Sequence, residues 1–486
     1  MPPTPRRVLY IVGVVLIGAG FAMLPSAVVS MLYEEWGSSA DLGLSAAITV
    51  GIGALLTVWA GRPDSLSPKE AFAAVAVAWV TVVWFGALPY LFSGTIEGIT
   101  SAVFEATSGF TTTGATVIED LSTVSNGILM WRATTQWLGG MGIIVLSISV
   151  LPLIGSGGVE LARAEAPGPE PDRLTPRFRG TAVRLWALYA ALTVIEAVVL
   201  TAGEMSLFEG VAHALTNVST GGFSTTSESI GAFGVYTQWI VIVVMFIGGA
   251  SFALHYRAMT NPREYGRNAE FRVYTAILVA GAAIVIGGLA IDSATDTTTV
   301  RDGIFTTLSL ITGTGYATVD FAAWGQRLLI LLTMFMFLGG MAGSTTGALK
   351  TRRLALLSKS ATSDVRRIIR PQAVSISRFG GAVISPAAMR NVSAFFILYV
   401  AIFVFGSVLL SFFEALFSDG IDVVTSVSAS ASALGNVGPG LGEVGPASTY
   451  AGIVGPGKWL LGLMMIIGRL EIFPMLLLFT PAFWRR

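Results

Sequence analysis

The chain runs to 486 residues, 53% of them hydrophobic and only 12% charged, with a mean hydropathy of +0.73. Uncharged apolar runs of about 18 residues or more recur along it, which excludes a soluble protein and defines an integral membrane protein of many helices. The absence of Cys excludes disulfides, thiolate metal sites and Cys nucleophiles, two His (His213 and His255) are too few for a haem or zinc constellation, and a formal net charge of zero makes charge placement the informative quantity.

Arg6 and Arg7 precede an apolar run that resembles a signal peptide. No small-residue cleavage site follows and a second apolar segment begins at once, so an uncleaved first helix is expected. Spans are expected near 8–30, 42–61, 70–92, 127–154, 181–203, 236–257, 272–291, 325–349, 391–416 and 458–483, which makes ten membrane helices. Four other apolar segments, at about 97–109, 207–217, 301–311 and 421–433, are too short for a hydrocarbon core that needs ~20 residues. Each precedes a run rich in glycine and hydroxyls, and these runs are copies of one pattern. Stacked on one glycine, they bring Gly114, Gly222, Gly315 and Gly438 into register. Six residues earlier stand Ser108, Thr216, Ser309 and Ser432. A short helix followed by irregular backbone lies at membrane depth only if protein buries it or water lines it. A half-helix that enters and leaves on one side is therefore expected in each copy.

Basic residues sit on one side of the expected spans. Arg469 lies inside a span, and only Arg132, Arg301, Arg327 and Lys458 fall on the side of the glycine motifs. The others fall on the opposite side: Arg6 and Arg7, the 62–69 turn, the 163–184 loop, the 257–272 loop, the 350–390 connection, and Arg485 with Arg486. The positive-inside rule places both termini in the cytoplasm and the four motifs outside. The expected fold is an all-α polytopic membrane protein with four pseudo-repeats of helix, pore half-helix, filter loop and helix around one central pore, preceded by two N-terminal helices. The corresponding divisions are 1–66, 67–160, 161–262, 263–385 and 386–486. Each half-helix would aim its C-terminal carbonyls, the negative end of its dipole, at the common axis. Rings of carbonyl oxygens replace the hydration shell of a K⁺ ion, and no paired carboxylates favour a hard divalent ion instead. Glycines that only allow close helix packing are the plain alternative. They do not explain four copies in one register.

The strings S-G-F-T-T-T-G-A-T at 108–116, T-N-V-S-T-G-G-F-S-T-T at 216–226, G-T-G-Y at 313–316 and N-V-G-P-G at 436–440 closely resemble the filter loops of the bacterial TrkH/TrkG potassium uptake family, relatives of KtrB and plant HKT transporters. So do Q-W-L-G-G-M-G at 136–142, G-G-M-A-G-S-T-T-G at 339–347 and G-R-L-E-I-F at 468–473. The resemblance covers essentially the whole chain, and the two extra N-terminal helices fit the Trk branch better than the shorter KtrB branch. It implies K⁺ as the transported ion, no organic cofactor in this chain and no nucleic-acid partner. The filter would comprise Thr112, Thr113, Gly114, Thr220, Gly221, Gly222, Thr314, Gly315, Asn436, Val437 and Gly438. Carbonyls of Thr112, Thr113, Thr220, Gly221, Gly313, Thr314, Asn436 and Val437 would hold the ion. Gly114 stands where Na⁺-preferring plant members have Ser. That favours K⁺ while leaving Na⁺ permeation, or H⁺- or Na⁺-coupled symport, as the alternative.

The run Gly339, Gly340, Met341, Ala342, Gly343, Ser344, Thr345, Thr346 and Gly347 predicts local unwinding inside a span, with a small-residue packing face as the other reading. The resemblance implies an intramembrane gating loop below the filter. Arg469 is an ionisable residue within the last span, two residues before Glu471. Residues two apart on a helix do not share a face, so Glu471 is expected to turn toward a neighbouring helix. The resemblance implies that Arg469 projects into the pore as an electrostatic barrier and forms part of the gate. Glu196 is the other acid within a span, expected in a buried hydrogen bond, and His213 is expected to pack. The basic connection from Lys350 to Arg390 suits topology or lipid headgroups. The resemblance implies instead a homodimer on which a cytoplasmic TrkA-type nucleotide-binding regulator docks. An alternating-access transporter would show inverted repeats, whereas these four share one orientation. A membrane enzyme would need acid, base or nucleophile clusters in the spans, where only Glu196, Arg469 and Glu471 occur.

Overall fold

The computed structural model describes residues 5–63, 67–149, 178–292, 296–369 and 378–473, with residues 475 and 480. Most of the expected 163–184 loop, Arg370, and the terminal Arg485 and Arg486 lie outside the described residues. The described chain is predominantly helical, with one two-stranded hairpin, β1 (Arg378–Phe379) and β2 (Ala382–Val383).

Helix α1 (Pro5–Leu32) packs along α2 (Trp36–Ala60). Their axes approach closely at two glycines: a Cβ on Gly13 would stand 2.6 Å from the Gly53 carbonyl oxygen, and one on Gly53 would stand 2.7 Å from that of Gly13. Small residues are what allow two apolar helices this contact. Gly53→Val is expected to destabilise the protein by about 1–3 kcal/mol through overpacking. A lowered melting midpoint in detergent would show this. Gly51→Val, where an added Cβ meets nothing within 4 Å, is expected to leave it unchanged.

Next come α3 (Pro68–Gly86), opened by a Ser67–Glu70 capping box, and the short α4 (Leu88–Phe92). The sequence then continues through α5 (Ile99–Phe110), α6 (Asn126–Ser149), α7 (Phe178–Thr201), α8 (Leu207–Val218), α9 (Val235–Gly248), α10 (Phe252–Ala258), α11 (Arg263–Arg267), α12 (Ala269–Asp292), α13 (Thr297–Ile311), α14 (Gln326–Phe335), α15 (Thr351–Ile369), α16 (Pro386–Phe417), α17 (Val423–Gly435) and α18 (Gly455–Leu470). Among the described residues six helices are long and apolar enough to cross a membrane, or seven if the bent pair α9 and α10 is one span. That pair turns by 99° at Gly249–Ser251, a break that the apolar run 236–257 conceals. The span expected at 325–349 is helical only to Phe335, and α18 stops at Leu470 rather than running on through Glu471.

The four segments judged too short to span are helices α5, α8, α13 and α17, each ending where its glycine motif begins. Polar side chains fix where three of them start. Ser206 accepts from the Glu209 amide, Asp296 from Thr299 and Asp422 from Thr425, satisfying amides with no partner within the helix. Buried apolar side chains fall into two main cores. One joins α1 to α6 with α16 to α18, and the other joins α7, α9, α10, α12, α13 and α14 with Ala431 of α17. The polar motifs sit where these two halves meet.

Candidate functional site: a closed ring of four glycine motifs

Each short helix unwinds in the same manner. The amide before each motif glycine donates back to the carbonyl of the hydroxyl residue: Thr113 to Ser108 (2.8 Å), Gly221 to Thr216 (2.8 Å), Thr314 to Ser309 (2.9 Å) and Val437 to Ser432 (3.0 Å). The backbone is left-handed at Thr112, Thr220, Gly313 and Asn436 (φ between 50° and 65°), and again two residues later at Gly114 (87°), Gly222 (78°), Gly315 (79°) and Gly438 (111°). The register read from sequence is thus also a register of dihedral angles.

The four turns close on one another. A Cβ on Gly114 would stand 2.3 Å from the Gly221 carbonyl oxygen, and one on Gly222 1.8 Å from that of Thr314. On Gly315 it would stand 1.9 Å from the Val437 oxygen, and on Gly438 2.6 Å from the Thr113 oxygen. Ordinary contacts between nonbonded atoms lie near 3.5–4.0 Å, so each glycine leaves room that only a hydrogen can occupy. The first loop rests on the second, the second on the third, the third on the fourth, and the fourth on the first. All four glycines line one concave mouth, with Glu119, Arg132 and Tyr450 on its wall. Among the described residues there is no group of three His, Asp or Glu able to hold a metal ion.

Side chains brace the ring from behind. Thr111 and Thr113 hydroxyls pair at 2.8 Å, and those of Thr312 and Thr314 at 2.7 Å. The Asn436 amide donates to the Thr113 hydroxyl (3.0 Å) and the Met465 carbonyl (2.9 Å), joining the fourth loop to the first. The Tyr450 hydroxyl donates to the Gly438 carbonyl at 2.9 Å. Sequence reasoning missed Gln136, whose amide donates to the Gly221 carbonyl (2.7 Å) while its oxygen accepts from the Phe223 amide (3.0 Å). It also missed the pairing of Glu105 with Arg132, at 2.9 Å and fully enclosed. A polar group within an apolar segment, with no partner nearby in sequence, is the signal that points to each of them. Glu196 accepts from the Asn217 amide at 2.6 Å, the buried hydrogen bond expected of it. His213 bonds the Glu209 carbonyl and Ser224 hydroxyl and packs on Phe233.

The Gly339–Gly347 segment is irregular, as its composition predicts, and the irregularity starts earlier, after Phe335. It is stitched to the break between α9 and α10: the Met341 amide donates to the Gly249 carbonyl (2.8 Å), and the Phe252 amide donates to the Gly343 carbonyl (3.1 Å). It also abuts the ring, since a Cβ on Gly347 would stand 2.4 Å from the Gly435 oxygen. Arg469 is 2% exposed and donates to the Thr345 carbonyl at 2.7 Å and the Gly139 carbonyl at 3.4 Å. It therefore pins the middle of the segment. Glu471 lies beyond the end of α18, at φ 67°, so the helical-face argument does not apply to it. It nevertheless reaches a neighbouring helix, pairing with Arg353 of α15 at 2.8 Å. Lys350, Arg353, Arg469 and Glu471 line one small cavity beneath the segment.

Long apolar helices packed around a polar centre made largely of backbone define a multi-pass membrane protein. Residues 45–486 match the TrkH family of cation transport proteins, and the chain belongs to that family. It is 36% identical over 490 residues to the Trk system potassium uptake protein TrkH of Halomonas elongata, covering 99% of both chains. It is 34% identical to TrkH of Escherichia coli K12 over 490 residues, again covering 99% of each, and 32% identical to TrkG of the same strain over 489, with the same coverage. The crystal structure of the potassium transporter TrkH from Vibrio parahaemolyticus superposes with a TM-score of 0.90 at 33% identity, covering 99% of this chain and 100% of that one.

Proposed function

We propose that the chain takes up K⁺ across the cytoplasmic membrane through a gated, channel-like pore at the centre of the ring. The observation that carries this reading is the cyclic contact of Gly114, Gly222, Gly315 and Gly438 with carbonyls of the next loop. Carbonyls of Thr112, Thr113, Thr220, Gly221, Gly313, Thr314, Asn436 and Val437 replace water around the ion, at the C-terminal ends of four helix dipoles. Ten spans in four repeats after two leading helices bring both termini to the cytoplasm and the mouth to the outside. The Gly339–Gly347 segment obstructs the path and Arg469 adds a positive barrier. Two copies associate, and a TrkA-type nucleotide-binding regulator docks on the basic face that includes α15 and moves the segment. The potassium uptake named for the Halomonas and Escherichia relatives supports the choice of ion.

Radioactive rubidium uptake into proteoliposomes tests this directly. Uptake should follow an outward K⁺ gradient without an imposed proton or sodium gradient, and external K⁺ should suppress it far more than Na⁺. Uptake that requires a sodium or proton gradient would overturn the channel-like reading in favour of coupled symport.

A further inference from the structure

Glu105, His213, Thr306 and Ala429 occupy one position in the four motifs, nine residues before the glycine. Thr116, Ser224, Ala317 and Gly440 occupy another, two residues after it. In the first motif these two positions are joined: the Thr116 hydroxyl donates to the Glu105 carboxylate (3.0 Å), which also accepts from the Val117 amide (2.9 Å). They are joined in the second as well, His213 to Ser224 at 3.0 Å. Because His213 Nδ1 lies 2.8 Å from the Glu209 carbonyl, which only accepts, that nitrogen carries the proton and Nε2 accepts from the Ser224 hydroxyl. The third and fourth motifs have no polar partner to offer at Ala317 or Gly440, and the Thr306 hydroxyl is buried without a hydrogen bond.

Arg132 of α6 connects the two joined motifs. Its Nε donates to Glu105 at 2.9 Å, its Nη2 to the Thr116 hydroxyl at 3.2 Å and its Nη1 to the Ser224 carbonyl at 3.1 Å. Its guanidinium lies over the Phe223 ring, 4.1 Å from the centroid. Arg132 and Glu105 are 1% and 0% exposed, so the fork is held rigidly in a medium of low dielectric.

We infer that Glu105 and Arg132 are positioning residues that lock the exits of the first two loops together and thereby set the ion discrimination of that half of the ring. The inference rests on the ring being the ion path. An ion pair this deeply buried joins the first two loops to each other, whereas the third loop has its Thr318 hydroxyl on Asp302 of its own short helix and the fourth is held by the Asn436 amide and the Tyr450 hydroxyl.

Arg132→Lys keeps the charge but has one nitrogen in place of the fork that reaches Glu105, Thr116 and Ser224 together. Thr116→Val keeps the shape and removes the hydroxyl shared by Glu105 and Arg132, and keeps the test standing should the Arg132→Lys protein fail to fold. Rubidium and sodium uptake would be measured for both, beside the melting midpoint of each purified protein. The rubidium-to-sodium ratio is expected to fall at least about fivefold in Arg132→Lys, and by less in Thr116→Val. A lower melting midpoint with an unchanged ratio would reduce the pair to a structural role and overturn the inference. Wild-type protein that takes up no rubidium would instead refute the ion path, before either variant is considered.

Discussion

Serine at position 315 is expected to lower the preference for rubidium over sodium by about tenfold or more. Gly315 has φ 79°, and a Cβ there would stand 1.9 Å from the Val437 carbonyl oxygen. The left-handed region alone costs a residue with a side chain roughly 1–3 kcal/mol, and each ~1.4 kcal/mol is a factor of ten. The clash adds to this, because its partner is backbone and not the end of a flexible side chain. Relief comes only by moving the fourth loop, so Val437 and Gly438 shift together and the aperture widens. A wider aperture no longer fits the larger ion better than the smaller one. The assay is the ratio of rubidium to sodium uptake in proteoliposomes. Gly452→Ser, where an added Cβ meets nothing within 4 Å, serves as the control. An unaltered ratio in folded Gly315→Ser protein would place the ion path elsewhere.

Removal of the guanidinium at 469 is expected to raise rubidium flux by about tenfold. A unit charge beside the path opposes a monovalent cation by about 1–2 kcal/mol at an effective dielectric of ~20, and each ~1.4 kcal/mol is a factor of ten. Arg469 also donates to the Thr345 carbonyl, so Arg469→Ala releases the middle of the Gly339–Gly347 segment as well as the charge. Arg469→Lys separates these two effects, since Lys keeps the charge and lacks the fork. Flux near wild type in Lys and raised in Ala identifies the charge as the barrier, whereas raised flux in both identifies the tether. Unchanged or reduced flux in well-folded Arg469→Ala protein would remove the residue from the gate altogether.

The short helices were legible in the sequence because length is a hard constraint at membrane depth, and a fourfold copy makes coincidence untenable. The motif glycines were legible for a related reason, since left-handed backbone pressed against the next loop's carbonyl leaves no room for a Cβ and needs glycine in every copy. The closing order of the ring was not legible. It depends on carbonyls such as Thr314 and Val437 meeting glycines from another copy, and no local pattern encodes that. Gln136 and Arg132 were missed on similar grounds, as their partners lie 85 and 27 residues away. The bend at Gly249–Ser251 escaped notice because apolar residues continue on both sides of it. Hydropathy senses what surrounds the chain, not its direction. For Glu471 the outcome was right and the reason wrong: α18 ends first, so no helical face exists there to separate it from Arg469.

The head-to-tail contact of the four loops also bears on how the protein is made. The first loop's neighbour on one side is the fourth, and the Asn436 contact with Thr113 spans 323 positions of the chain. During synthesis, the earliest loop must therefore wait, unsupported on that flank, until nearly the whole polypeptide has been inserted. Chains cut short before residue 436 leave an open arc instead of an aperture, with the Val437 oxygen that meets Gly315 missing altogether.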